Sequence, residues 1–347
     1  MSSPMPPILA LFQKRIEGDD ALLQLAALRF KEAGLGPEFY AGTPDELAGL
    51  LKFMPANGAP ATVHLPRGID LFEENDRRRV LDFAKNFRDR IFGLIIHDQS
   101  EIAASFDNYL AVLNSIESLL KEIQESPYLF IEYAAGIDPD VFIKLFRSAH
   151  GLEHVSSCID IGHIGIWQAR HVYSHKYPGK DVCSLKPQDP GLPEVIGDVQ
   201  EAVAAGPVEA LRVIREIGSL GKPIHFHLHD AHPLSTFSPF GVADHLSFLN
   251  KIMLPFEYLG KRSLDLMFGP SGLSAIVAES LQLVGHDRVT FSLEIHPTEG
   301  MLPLGDASDL FHHWRDKGNA ERMNFWLSVL CENHQLVLNA CKKEDKL

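Results

Sequence analysis

Short apolar runs alternate with amphipathic helical segments along this chain, and that alternation restricts the fold more than any other feature. Strands are predicted over 8–12, 38–41, 61–66, 92–98, 128–133, 154–160, 223–230 and 289–296. Between them helices are predicted over about 19–33, 43–53, 73–90, 105–125, 138–151, 208–219, 271–284 and 319–342. Asp19 or Asp20 and Thr43 stand where N-caps belong, Pro44 at a first helical position and Gly34 at a helix end. Where the connections are short, strands recur about every 30 residues, as βα units do. No glycine-rich phosphate loop follows the first strand, which argues against an open doubly wound sheet.

The expected fold class is therefore α/β, a (β/α)8 TIM barrel in one domain spanning 1–347. The barrel would occupy about 8–297, and a helical extension about 298–347. Within that extension Met323, Trp326, Leu330 and Val337 form a packing stripe. Two long irregular stretches, 162–193 and 231–270, would be loops after the sixth and seventh strands. Loops of that length are often functional, and Tyr173, His175, Tyr177, Phe237 and Phe240 would either form a lid or substrate wall or simply pack the loops onto the barrel.

The 347 residues are 45% hydrophobic and 22% charged, which suits a globular chain with a large core. Net charge is 32 − 46 = −14. That disfavours nucleic acid as a partner without excluding a local anion-binding cleft. The cysteines Cys158, Cys183, Cys331 and Cys341 form neither a CxxC pair nor a dense disulfide framework. With no signal peptide and no apolar run of about 20 residues, a cytoplasmic, non-membrane protein is expected, with oligomers left open.

The polar residues carry the functional reading. In 223–230, Ile224, Phe226 and Leu228 alternate with His225, His227 and His229, before Asp230. A strand sends alternate side chains to opposite faces, so three imidazoles share one face. The pattern recurs at the C-terminal strand ends, where such barrels keep their active sites. His64 closes the third strand, His97 the fourth, Glu132 the fifth and Asp160 the sixth, with His163 three residues on. His227 and Glu294 lie near the ends of the seventh and eighth. Any one of these fits a salt bridge or a cap. Together they would converge at one mouth, where buried carboxylates need cations to offset their desolvation. Mixed carboxylate and imidazole donors suit zinc, manganese or iron better than magnesium.

At this point the chain resembles the xylose isomerase-like superfamily, which includes endonuclease IV and many sugar isomerases and epimerases. Cys158-Ile159-Asp160-Ile161-Gly162-His163 resembles its Asp-x-x-His element, and His227-Leu228-His229-Asp230 its His-Leu-x-Asp element. The resemblance covers about 8–297. It implies two or three divalent ions: His64, His97 and Glu132 on one, Glu132, Asp160, His227 and Glu294 on a second, His163 and His245 on a third. Ala243 stands where the endonuclease pattern has a third-site aspartate, so Asp244 or Asp230 would substitute.

Two reactions follow as expectations. The first is endonuclease IV-like hydrolysis of a phosphodiester or other anionic substrate by metal-activated water. The alternative is isomerisation or epimerisation of a sugar or sugar phosphate, with Glu132 or Glu294 moving a proton and His163 orienting a substrate oxygen. A non-catalytic metal-binding barrel ranks third. Arg67, His229 and Asp230 are the expected substrate-binding residues, with Arg170 a further rim charge.

Overall fold

A computed structural model describes residues 5–53, 61–237, 243–256, 260–295 and 318–344. Eight parallel strands close into a barrel: β1 (Ile8–Leu11), β2 (Gly36–Tyr40), β3 (Ala61–His64), β4 (Ile91–His97), β5 (Tyr128–Glu132), β6 (Val155–Asp160), β7 (Ile224–Leu228) and β10 (Val289–Leu293). β1 pairs with β10, so no barrel edge is left open. The register sets the mouth, placing His97 beside Glu132 and Asp160 beside His227. Outward residues such as Phe226, Leu228 and Phe291 meet the helices, and their burial supplies most of the driving force for closure.

The helices begin where the capping residues dictate. Asp19 accepts the Leu22 N–H and Gly34 ends α1 (Asp20–Ala33) at φ 71°, a conformation glycine adopts without strain. Thr43 and Asp138 cap α2 (Pro44–Leu51) and a later helix, Pro139–Ser148, each with proline in its first turn. Between them lie α3 (Glu74–Phe87), α4 (Ser100–Ala104) and α5 (Phe106–Lys121), so that Pro139–Ser148 is α6.

The stretch after β6 is long but helical. α7 (Ile161–Lys176) starts directly at the strand end, with Asp160 as its N-cap, and α8 (Leu192–Gly218) carries Pro207 inside it. Gly162 and Gly165 suggest a loop, but here they permit close approach. A Cβ on Gly162 would lie 2.1 Å from the His229 ring, and one on Gly165 2.2 Å from Met267 Sδ. The stretch after β7 holds a short 3-10 helix, Pro233–Phe237, and an antiparallel hairpin of β8 (Lys251–Phe256) and β9 (Gly260–Asp265). α9 (Gly269–Val284) then returns to β10. Phe240 and the far end of the predicted eighth strand, His296, lie outside the described residues.

α10 (Ala320–Glu344) corrects the idea of an extension. It packs against α9, α1 and β10, which makes it the eighth helix of the ring. Met323, Trp326, Leu330 and Val337 are buried, and Trp326 Nε1 donates to the Ile295 carbonyl at 2.9 Å. Arg15 lies over the same indole at 3.3 Å. Among the described residues no helix is long and apolar enough to cross a membrane.

Candidate functional site

The strand-end residues meet. Donor atoms of Glu132, Asp160, His227 and Glu294 all lie within 4.8 Å of one another, and so do those of His64, Glu132 and His227. His227 is central. Its Nδ1 is 3.1 Å from Glu294 Oε2, 3.2 Å from Glu132 Oε1 and 3.8 Å from Asp160 Oδ2. The other Glu132 oxygen is 2.8 Å from His64 Nε2 and 3.4 Å from His97 Nε2, so one carboxylate spans both groups.

The electrostatics are those of ligands crowded together. Burial disfavours the Glu132 and Glu294 carboxylates, yet the surrounding imidazoles hold both well below the ordinary range. Burial likewise lowers His64, but Glu132 outweighs it and the net direction is upward. His97 is pushed down to about 4 by burial, against the pull of Glu132. His64 Nδ1 is 2.8 Å from the Leu65 carbonyl and donates to it. In a neutral ring, Nε2 then turns a lone pair towards a carboxylate oxygen. Two acceptors at 2.8 Å require a positive charge, either a proton on the ring or a cation touching both. His97 Nδ1, His227 Nδ1 and Glu294 Oε2 are buried without an aligned hydrogen bond. Buried polar atoms are normally satisfied, and this donor set fits a divalent cation of the zinc, manganese or iron type.

A second group forms the rim. Asp160 Oδ1 accepts the His163 N–H at 2.8 Å as the α7 cap, and Oδ2 accepts from His229 Nε2 at 2.9 Å. His229 Nδ1 accepts the His245 N–H at 2.9 Å, so both ring nitrogens of His229 are engaged and it orients Asp160. Asp244 bridges the two rim imidazoles, 3.2 Å from His163 Nδ1 and 2.7 Å from His245 Nδ1. His245 reaches Glu294 Oε1 at 3.5 Å from a backbone at φ 59°. Burial opposes the charge on His163, but Asp160 and Asp244 raise it to about 9.

Several expected site residues fall elsewhere. The Asp230 carboxylate accepts the backbone N–H groups of Ala231, Phe268 and Gly269 at 2.7, 3.0 and 2.7 Å. It is fully buried and ties β7 to the start of α9, so it is not a substrate group. Arg170 pairs with Asp181 on the surface. Tyr177 is drawn to Asp198, and Tyr173 is buried. His175 is exposed on α7, and the Phe237 side chain is outside the described residues. Arg67 does stay close. With His97, Asp70, Asp98 and Gln99 it lines an open polar cleft of about 400 Å³ beside the centre. The floor of that cleft is fixed by Asp98, whose carboxylate accepts from Ala134, Gly136 and Ile137.

Glu38 escaped the sequence reading. It lies on β2, 1% exposed, with Oε2 2.9 Å from His225 Nε2 and Oε1 2.9 Å from His227 Nε2. The signal was present: Glu38 and Tyr40 alternate with Phe39 and Ala41, as the histidines of β7 alternate with apolar residues.

No protein-family model and no curated protein matches the sequence. Similar solved structures include a thermostable mutant of a xylanase from Cellvibrio japonicus, with 10% identity over 84% of this chain and 86% of that chain, at a TM-score of 0.45. A chitinase from Chromobacterium violaceum matches with 11% identity over 91% and 100%, at 0.43. A class V chitinase from Pseudomonas fluorescens matches with 9% identity over 84% and 95%, at 0.39. At such values none of them assigns an activity to this chain. The resemblance to xylose isomerase-like and endonuclease IV-like proteins is corrected here, since the three structures just named are xylanases and chitinases. With it go the phosphodiesterase, isomerase and passive metal-barrel readings built on it. The two motifs have local explanations. The aspartate of Asp-x-x-His is the N-cap of α7 at a strand-to-helix junction, and the aspartate of His-Leu-x-Asp is a backbone anchor.

Proposed function

We propose that this protein is a hydrolytic enzyme that cleaves a glycosidic bond in a small carbohydrate, with divalent cations held at the barrel mouth. The observation that carries the reading is the meeting of Glu132, Asp160, His227 and Glu294 within 4.8 Å, next to an open cleft lined by Arg67, Asp70, His97, Asp98 and Gln99. The polar side chains that line the cleft suit a ligand rich in hydroxyl groups, which needs many short polar contacts and little apolar area.

His64, His97, Glu132, Asp160, His227 and Glu294 would hold the cations, with His163, His245 and Asp244 at the rim. A bound divalent cation would supply Lewis-acid polarisation of an oxygen and neutralise the crowded carboxylates. The residues do the remaining work. Glu294, the most exposed of the four central groups at 7%, takes a proton from the attacking water. That water oxygen forms a bond to the anomeric carbon as the bond to the leaving oxygen breaks. His163, held between Asp160 and Asp244, gives its proton to the leaving oxygen. Asp98 and its loop keep the cleft open, and Arg67 orients substrate hydroxyls. The free thiols of Cys158, Cys183 and Cys331 are in keeping with a reducing compartment.

The test is a panel of aryl glycosides and short oligosaccharides, assayed for released reducing ends with manganese or zinc present. Release that is lost in Glu294→Gln is the expected result. No release from any sugar by folded, cation-loaded protein would refute the proposal.

A further inference from the structure

Glu38 lies beneath the centre and has no part in the proposed chemistry. Its carboxylate is surrounded by donors: Thr62 Oγ1 donates to Oε2 at 2.7 Å, His225 Nε2 lies 2.9 Å from the same oxygen, and His227 Nε2 lies 2.9 Å from Oε1. The His227 contact is close but off the line of an ideal hydrogen bond. All these residues are buried. An ionised carboxylate only accepts hydrogen bonds. His225 Nε2, aligned on Oε2, must therefore carry hydrogen, and hydrogen on His227 Nε2 is the arrangement that avoids setting a lone pair against Oε1, which leaves the other nitrogen of His227 for the opposite side. That other nitrogen, Nδ1, faces Glu132, Glu294 and Asp160.

We propose that Glu38 is a positioning residue: it fixes His227 with hydrogen on Nε2 and presents Nδ1 as the cation-binding nitrogen of the centre. This rests on the reading that the barrel mouth holds a cation. A carboxylate behind a ligating histidine fixes ring orientation and tautomer, and its loss typically weakens metal binding about 10–100-fold. Thr62 and His225 hold Glu38 in turn, so three strands, β2, β3 and β7, set one nitrogen of one ring.

The test compares unsubstituted protein, Glu38→Gln and Glu38→Leu, titrated with zinc by chelator competition and observed by ¹⁵N NMR of ring-labelled histidine. Glu38→Gln retains an oxygen that can accept from His227 Nε2. It should keep zinc affinity within about threefold, with the protonated Nε2 signal intact. Glu38→Leu, checked for folding by circular dichroism, should lose about 10–100-fold in zinc affinity and the fixed tautomer with it. Equal zinc affinity in Glu38→Leu, or zinc bound through His227 Nε2, would overturn the role of Glu38 and leave the cation centre standing. Absence of zinc from the unsubstituted protein would overturn both.

Discussion

Glu132 is the residue on which the centre turns, because its two oxygens face different groups of histidines. Glu132→Gln should weaken cation binding by more than about 100-fold, beyond the usual effect of an outer-shell change, and isothermal titration with manganese or zinc measures it. Asp230 tests the opposite assignment. Asp230→Ala would strand the buried N–H groups of Ala231 and Phe268 and the half-buried one of Gly269, at about 1–3 kcal/mol for each buried group. Urea unfolding should show a loss of about 3 kcal/mol or more, larger than any direct effect on substrate affinity. His232 gives a pH signature. Burial alone lowers it to about 4 from an ordinary 6.5. Between those values the unfolded chain binds more protons, so the stability contributed by His232 is present above pH 6.5 and lost as pH falls towards 4. The loss should reach at most about 3 kcal/mol, and His232→Asn should flatten that part of the pH–stability curve. At this scale the convergence of Glu132, Asp160, His227 and Glu294 was legible because period-2 alternation betrays inward polar residues. Asp230 and Glu38 were not. A buried carboxylate that anchors backbone looks the same in sequence as one that meets substrate, and Glu38 shares the alternation but not the strand-end position that singled out the others.

The elements explain why one short junction matters so much. α7 begins on Asp160, and its second residue, Gly162, lies against His229, which in turn holds Asp160. Gly162→Ala would place a Cβ within 2.1–2.3 Å of the His229 ring, whose two nitrogens are both engaged. The ring must move, and the variant is expected to bind cations about 10-fold more weakly, as when other outer-shell contacts are lost. Titration beside Gly151→Ala, which meets nothing within 4 Å, separates this from a general glycine effect. Strands and capped helices could be read before the structure because Asp19, Thr43 and Asp138 mark their starts. α7 and the first half of α8 could not. Their glycines and prolines are punctuation in most contexts, and close packing against Met267 and His229 reverses that meaning here.

For the whole molecule, the fold followed from the rhythm of the chain, since eight strands and their helices close one barrel with α10 completing the ring. The reaction did not follow. A mouth lined with imidazoles and carboxylates is available to any barrel that binds a cation, and two short motifs with local structural roles carry little information about ancestry. The proposed centre draws its candidate ligands from β3, β4, β5, β6 and β7 and from Glu294 just past β10, so occupancy should brace the barrel as a unit. Zinc or manganese at about 100 times its dissociation constant should add about 2.7 kcal/mol of stability, a rise of roughly 4 °C in Tm. A melting curve with and without chelator reads this directly.

The most direct measurement is anomalous diffraction from crystals grown with manganese or zinc. The account predicts a peak enclosed by Glu132, Asp160, His227 and Glu294, with His227 approaching through Nδ1. Crystals that hold these side chains in place and show no peak among them, at concentrations that saturate binding in solution, would contradict it.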